Sequence, residues 1–147
     1  MALSIATCTY SEFDRTMGIP IRTTVGQAKW FPHYPYGVWQ NVTPDPWMLN
    51  MGYDQFNEKY RQKLDRIGFD TLLADAQALH EELAPEWMHD DRYPDQLVVL
   101  CFDSLWKPGK WCHRTIFGTW MGEHGFHVPE LGRCQPIPKP DHQGKLW

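Results

Sequence analysis

The run Gln96-Leu-Val-Val-Leu-Cys-Phe102 constrains the fold more than any other stretch of this chain. Its apolar residues follow one another without alternation. A strand with one wet face alternates polar and apolar side chains, whereas a strand buried on both faces does not. The run therefore predicts a strand inside a parallel sheet, covered by helices on both sides.

The rest of the chain supplies partners for it. Ser4–Tyr10 and Ile19–Val25 read as two further strands, rich in β-branched residues. Between them Ser11 reads as the cap of a short helix that Gly18 stops. Asp54–Ile67 reads as an amphipathic helix, with Phe56, Tyr60, Leu64 and Ile67 on one face and Lys59, Arg61, Lys63 and Arg66 making the others basic. Gly68 ends it, and Asp70 caps a second helix over Thr71–Leu83, followed by a polar loop over Pro85–Asp95. Cys112–His124 reads as a third helix with Gly125 just past its end. Phe126–Leu131 is expected to be a last strand, its Pro129 suiting an edge. The class is α/β: a small, mostly parallel, Rossmann-like sheet flanked by helices. One compact domain is expected over residues 1–131, with a Pro-rich extended tail over 132–147.

The segment Gln27–Gly52 is long and irregular, with four prolines among Trp30, Phe31, Tyr34, Tyr36, Trp39 and Trp47. A loop of this length in a compact domain is often functional. Its aromatics either cover the core or wall a cleft.

The net charge is −4 with histidines neutral. A generic duplex-binding protein carries a basic excess, so nucleic acid would need a local basic patch. No apolar run is long enough to span a membrane, and the first ten residues lack the pattern of a secretory signal. The expected location is the cytoplasm. The four cysteines, Cys8, Cys101, Cys112 and Cys134, show no CxxC spacing and are expected to be free thiols, two of them buried. A metal site on Cys101, Cys112 and His113 is an alternative, but their spacing matches no standard zinc module, and no metal is expected. Neither a dinucleotide fingerprint nor a phosphate-binding P-loop is present, and no cofactor is expected.

Parallel sheets bind ligands beyond the carboxyl ends of their strands. Three loops are therefore of interest, after Tyr10, after Val25 and after Phe102. The third carries Cys101-Phe-Asp103 and then Cys112-His-Arg114 at a helix start. A thiol there meets the positive end of the helix dipole, and neighbouring cations favour thiolate further. Free N–H groups at the same place bind anions. The second loop adds Arg22, Thr23, Thr24, Gly26 and Lys29, which also suit an anion. The plainer alternatives are a packing role for Cys101, an Arg114–Asp103 ion pair and a solvated surface turn. If the strands are parallel neighbours, Arg22 and Arg114 face one pocket, which Lys107 and Lys110 extend.

The chain resembles the domain of unknown function 488 family, the YeaO-like proteins. The resemblance rests on Thr9-Tyr-Ser-Glu-Phe13, Pro20-Ile-Arg-Thr-Thr-Val-Gly26, the Tyr53–Leu64 helix with Tyr60, Leu97-Val-Val-Leu-Cys-Phe-Asp103 and Cys112-His-Arg114. It covers about Ser4 to Leu131. It implies a compact α/β domain of bacterial or bacteriophage type, in the host cytoplasm if phage-encoded. It also implies a shared cleft built from Arg22, Thr24, Cys101, Asp103, Cys112, His113 and Arg114, without supplying a reaction. In the resulting reading, Cys112, His113 and Asp103 are the candidate catalytic groups. Arg22, Thr24, Lys29, Tyr60, Cys101 and Arg114 hold the ligand. The expected ligand is a nucleotide or single-stranded nucleic acid, bound or turned over. The competing reading is a protein-interaction module that docks a partner through its Trp-rich loop and tail.

Overall fold

The computed structural model describes residues 3–31, 36–87, 94–102 and 111–132. Its centre is the strand that the apolar run predicts. In chain order the strands are β1 (Ile5–Thr9), β2 (Ile19–Arg22), β3 (Gly37–Val38) and β4 (Leu97–Cys101). They form one parallel sheet in the order β1-β4-β2-β3. β4 lies between β1, with Thr9 opposite Cys101, and β2, with Arg22 opposite Leu100. Every residue of β4 is buried, as a strand covered on both faces requires. β1 is equally buried, and its two inward threonines hold their hydroxyls on protein acceptors.

Three α-helices cover the sheet among the described residues: α1 (Tyr53–Ile67), α2 (Phe69–Trp87) and α3 (His113–Glu123). α1 buries Phe56, Tyr60 and Leu64, spaced four apart on one face. It joins α3 through an Arg61–Glu123 ion pair and through Trp120 Nε1, which donates to Asp65 Oδ1 at 2.8 Å. None of the described helices is long and apolar enough to cross a membrane.

Several expectations are corrected. The second strand ends at Arg22 rather than Val25. The Arg22 guanidinium donates to the carbonyls of Thr24 and Val25, and this curls the chain into a turn. The short helix before Gly18 is a single 3₁₀ turn, Arg15–Met17, capped by Asp14 rather than Ser11. The second helix runs through Pro85 to Trp87. Trp87 is fully buried, and the Arg15 guanidinium sits 4.0 Å from its ring centre, so tertiary packing carries the helix past the proline. Lys63 is not on a basic outer face. It is buried, donating to Thr43 O at 2.6 Å and pairing with Asp45 at 2.8 Å. Phe126–Leu131 makes one bridge, Thr7 to Glu130, instead of a strand. Pro129 has no N–H to continue a ladder. The long segment after Gly26 contains β3 and two 3₁₀ turns. Of its described aromatics, Phe31 and Trp39 join the core, while Trp30 and Trp47 are 59% and 58% exposed.

Gly18 is required by its surroundings. Its φ is 138°, and a Cβ there would lie 2.5 Å from the Gln96 carbonyl oxygen. The turn can therefore press against the start of β4 only with glycine at this position.

Candidate functional site

The parallel order puts the ends of β1, β2 and β4 at one edge, where two of the three loops of interest are described. β4 delivers Cys101 to that edge. Cys112 occupies the N-cap position of α3 in extended backbone, φ −150°, so α3 begins with His113 and Arg114 pointing back under the sheet edge. All four side chains are buried.

Cys101 and Cys112 are joined as a disulfide with their Cα atoms 7.3 Å apart, which corrects the expectation of free thiols. Cys8 is free and buried, as expected. Cys134 lies outside the described residues. Burial pushes the Cys8 thiol up to about 12, with Glu130 nearby acting in the same direction.

His113 is held by a short relay. The Thr23 hydroxyl donates its one proton to Leu100 O at 2.9 Å. Its oxygen is then left to accept from His113 Nε2, also at 2.9 Å. Nε2 therefore carries the hydrogen, and Nδ1 is a bare acceptor, 3.6 Å from Cys112 Sγ. Burial, followed by the neighbouring Arg114 charge, lowers the His113 pKa to about 3, so the ring is neutral at any ordinary pH. The Tyr60 ring meets it edge-on, with centroids 5.8 Å apart.

Arg114 is wholly buried and faces the other way. It donates to Cys101 Sγ at 2.7 Å and to both oxygens of Glu130 at 2.8 and 3.3 Å. Glu130 also accepts from Thr7 Oγ1 at 2.7 Å and from the Gly132 N–H at 3.0 Å. Glu130, reached through the chain after α3, is thus a partner of Arg114. Asp103 lies outside the described residues, as do Lys107 and Lys110.

A cavity of about 240 Å³ opens on this cluster. Cys101, Cys112, His113 and Thr24 form its buried part, and the partly exposed Val25, Leu49 and Phe102 form its mouth. Larger cavities lie beside Trp39 and Asp75 and beside Leu3 and Phe126, and no described cysteine lines either.

The structure thus brings together Cys101, Cys112, His113 and Thr24 at the cavity, with Arg114 against Cys101. It does not bring the two arginines into one pocket: neither lines the cavity. β4 separates β1 from β2, and Arg22 is held by its own turn. Lys29 is on the surface. Tyr60 is a core residue behind His113, donating to Val42 O at 2.5 Å. Two residues that organise the site stood outside the candidate site residues: Glu130, and Thr23, which the sequence placed in the anion-suited second loop without a role of its own. The signal for Glu130 was an acid beside Pro129 in an otherwise apolar segment, since a carboxylate placed there has to find a partner.

No protein-family model, curated protein or solved structure matches this chain.

Proposed function

We propose that the strand-end cavity binds the base of a nucleotide or nucleic-acid-derived molecule against a cysteine–histidine floor. One observation carries this reading: the cavity pairs apolar walls with a few buried polar atoms, and among the described residues no cation lines it. Ligand sites of this make-up take flat, weakly polar molecules, and a volume near 240 Å³ suits a single ring system better than a large ligand. Phe102 at the mouth offers a face for stacking, which contributes roughly 1–3 kcal/mol per base. Arg22 donates to the carbonyl of Val25, a wall residue, so one positive charge sits beside the mouth where an attached phosphate would emerge. Once the disulfide is reduced, Cys112 and His113 are the groups at hand for chemistry on the bound base. The proposed kinship with the YeaO-like proteins belongs to this reading, since Thr24, Cys101, Cys112 and His113, which help carry the resemblance, line the cavity.

The test is a thermal-shift series with free bases, nucleosides, nucleoside monophosphates and inorganic phosphate. Nucleosides should raise the melting temperature, monophosphates should do so more strongly at low salt, and phosphate alone should have no effect. Phe102→Ala should abolish the shift. Stabilisation by phosphate alone, or by none of the series, overturns the reading.

The exposed Trp30 and Trp47 favour a second reading, a docking surface for a protein partner. Replacing both by serine should then abolish partner capture and leave nucleoside binding unchanged.

A further inference from the structure

We infer that, once its cysteine pair is reduced, the protein binds one zinc-like divalent ion between Cys101 Sγ, Cys112 Sγ and His113 Nδ1, with a fourth position open to the cavity. The inference concerns these three side chains and holds whatever organic ligand the cavity takes.

The donor set comes first. The two sulfurs and a histidine nitrogen lie within 4.8 Å of one another, and all three residues are buried. Zinc holds thiolate at about 2.3 Å and imidazole at about 2.0–2.1 Å, so tetrahedral donors stand about 3.3–3.8 Å apart. Small side-chain rotations cover the difference. The backbone agrees: the Cα atoms of the pair are 7.3 Å apart, beyond the roughly 4.4–6.8 Å that disulfides usually span. An ion between the sulfurs needs no approach of β4 toward α3.

The histidine is already set as a ligand. Metal-bound imidazole nearly always donates its other N–H to a fixed acceptor, which selects the tautomer and aims the ring. Thr23, locked on Leu100 O, plays that part, and it leaves the Nδ1 lone pair directed at Cys112. Arg114 supplies the matching contact on the sulfur side, an N–H donated to Cys101 Sγ.

Charge agrees as well. Two thiolates bring −2, which a dication cancels, and the Arg114 charge beside Cys101 is met by Glu130. Lys63, a cation behind His113, is paired with Asp45. Three protein ligands with an open fourth position facing a cavity is the arrangement of catalytic rather than structural zinc. The oxidised pair has no such site. A dithiol reductant must first give two electrons and two protons to the disulfide, becoming a disulfide itself. The resulting Cys101 and Cys112 thiols then release their two protons as the ion binds.

The test uses the full chain, reduced and kept free of air, titrated with Co²⁺ as the probe and then with Zn²⁺. One equivalent of Co²⁺ should produce strong thiolate-to-cobalt absorption, which Zn²⁺ should erase. Cys101→Ser and Cys112→Ser should each remove the band, while Cys134→Ser should keep it. Thr23→Val, which frees the ring, should weaken binding about 10- to 100-fold. The disulfide form should take up no cobalt. Absence of the band in reduced protein that remains folded by circular dichroism overturns the inference, as does a band that survives in Cys112→Ser. A second measurement avoids variants altogether: Zn²⁺ should protect Cys101 and Cys112 of the natural sequence from alkylation, located by peptide mass. Equal alkylation with and without zinc also overturns it.

Discussion

Arg114 keeps its charge inside the protein, between Glu130 and the Cys101 sulfur. Such a pair adds little by itself, yet removing one member strands the other without water. Glu130→Ala should therefore destabilise the fold by about 3 kcal/mol in urea unfolding. Glu130→Gln should cost less, because an amide oxygen still accepts from the guanidinium. Cys8 gives a pH dependence with a definite sign. Its thiol is held near 12 in the fold against an ordinary 9 in the unfolded chain. Between those values the unfolded chain has lost the proton that the fold retains. The Cys8 contribution is thus complete below pH 9 and falls above it by about 1.4 kcal/mol per pH unit. The stability difference between the natural sequence and Cys8→Ala should be constant below pH 9 and shift against the natural sequence only on the alkaline side, read from denaturant curves. At this scale the sequence showed which residues gather at the strand edge but not how they pair. The grouping of Cys101, Cys112 and His113 follows from their places at the end of a strand and the start of the next helix. That Glu130 meets Arg114 depends on where the chain after α3 passes β1, and no local pattern encodes that.

Elements were legible where one local signal dominated. The apolar run made β4, and the spacing of Phe56, Tyr60 and Leu64 made α1. They were misread where a distant contact outweighed the local signal. Trp87 draws α2 through a proline, and Lys63 turns inward because Thr43 O and Asp45 wait there. β3 has two residues and no pattern to read. The turn before β2 makes the clearest prediction at this scale. Gly18→Ala meets both an unfavourable backbone angle and the Gln96 carbonyl, and should destabilise by at least about 2 kcal/mol. A thermal melt should show the drop, while Gly26→Ala, with open space around it, should melt near the natural sequence.

For the molecule as a whole, the Cys101–Cys112 bond ties the central strand to α3 across a separation of 11 residues. Closing a loop of that size stabilises a fold by about 3 kcal/mol in the chain-entropy picture. Reduction should lower the melting temperature by about 10 °C in a chain of this length, read by calorimetry with and without a phosphine reductant. Adding Zn²⁺ to the reduced protein should recover part of the loss if the ion bridges the same two elements.

The sheet order also governs when the protein can begin to fold. β1 and β2 precede β4 in the chain, yet both pair with it and not with each other. As the chain leaves the ribosome, two buried-type strands and two helices emerge before Leu97 does, with no central strand to join them. Of the described strand pairings, only the short β2–β3 one can form earlier. The nascent protein therefore carries its stickiest segments unpaired for most of its synthesis, and the five residues of β4 complete the sheet in one step.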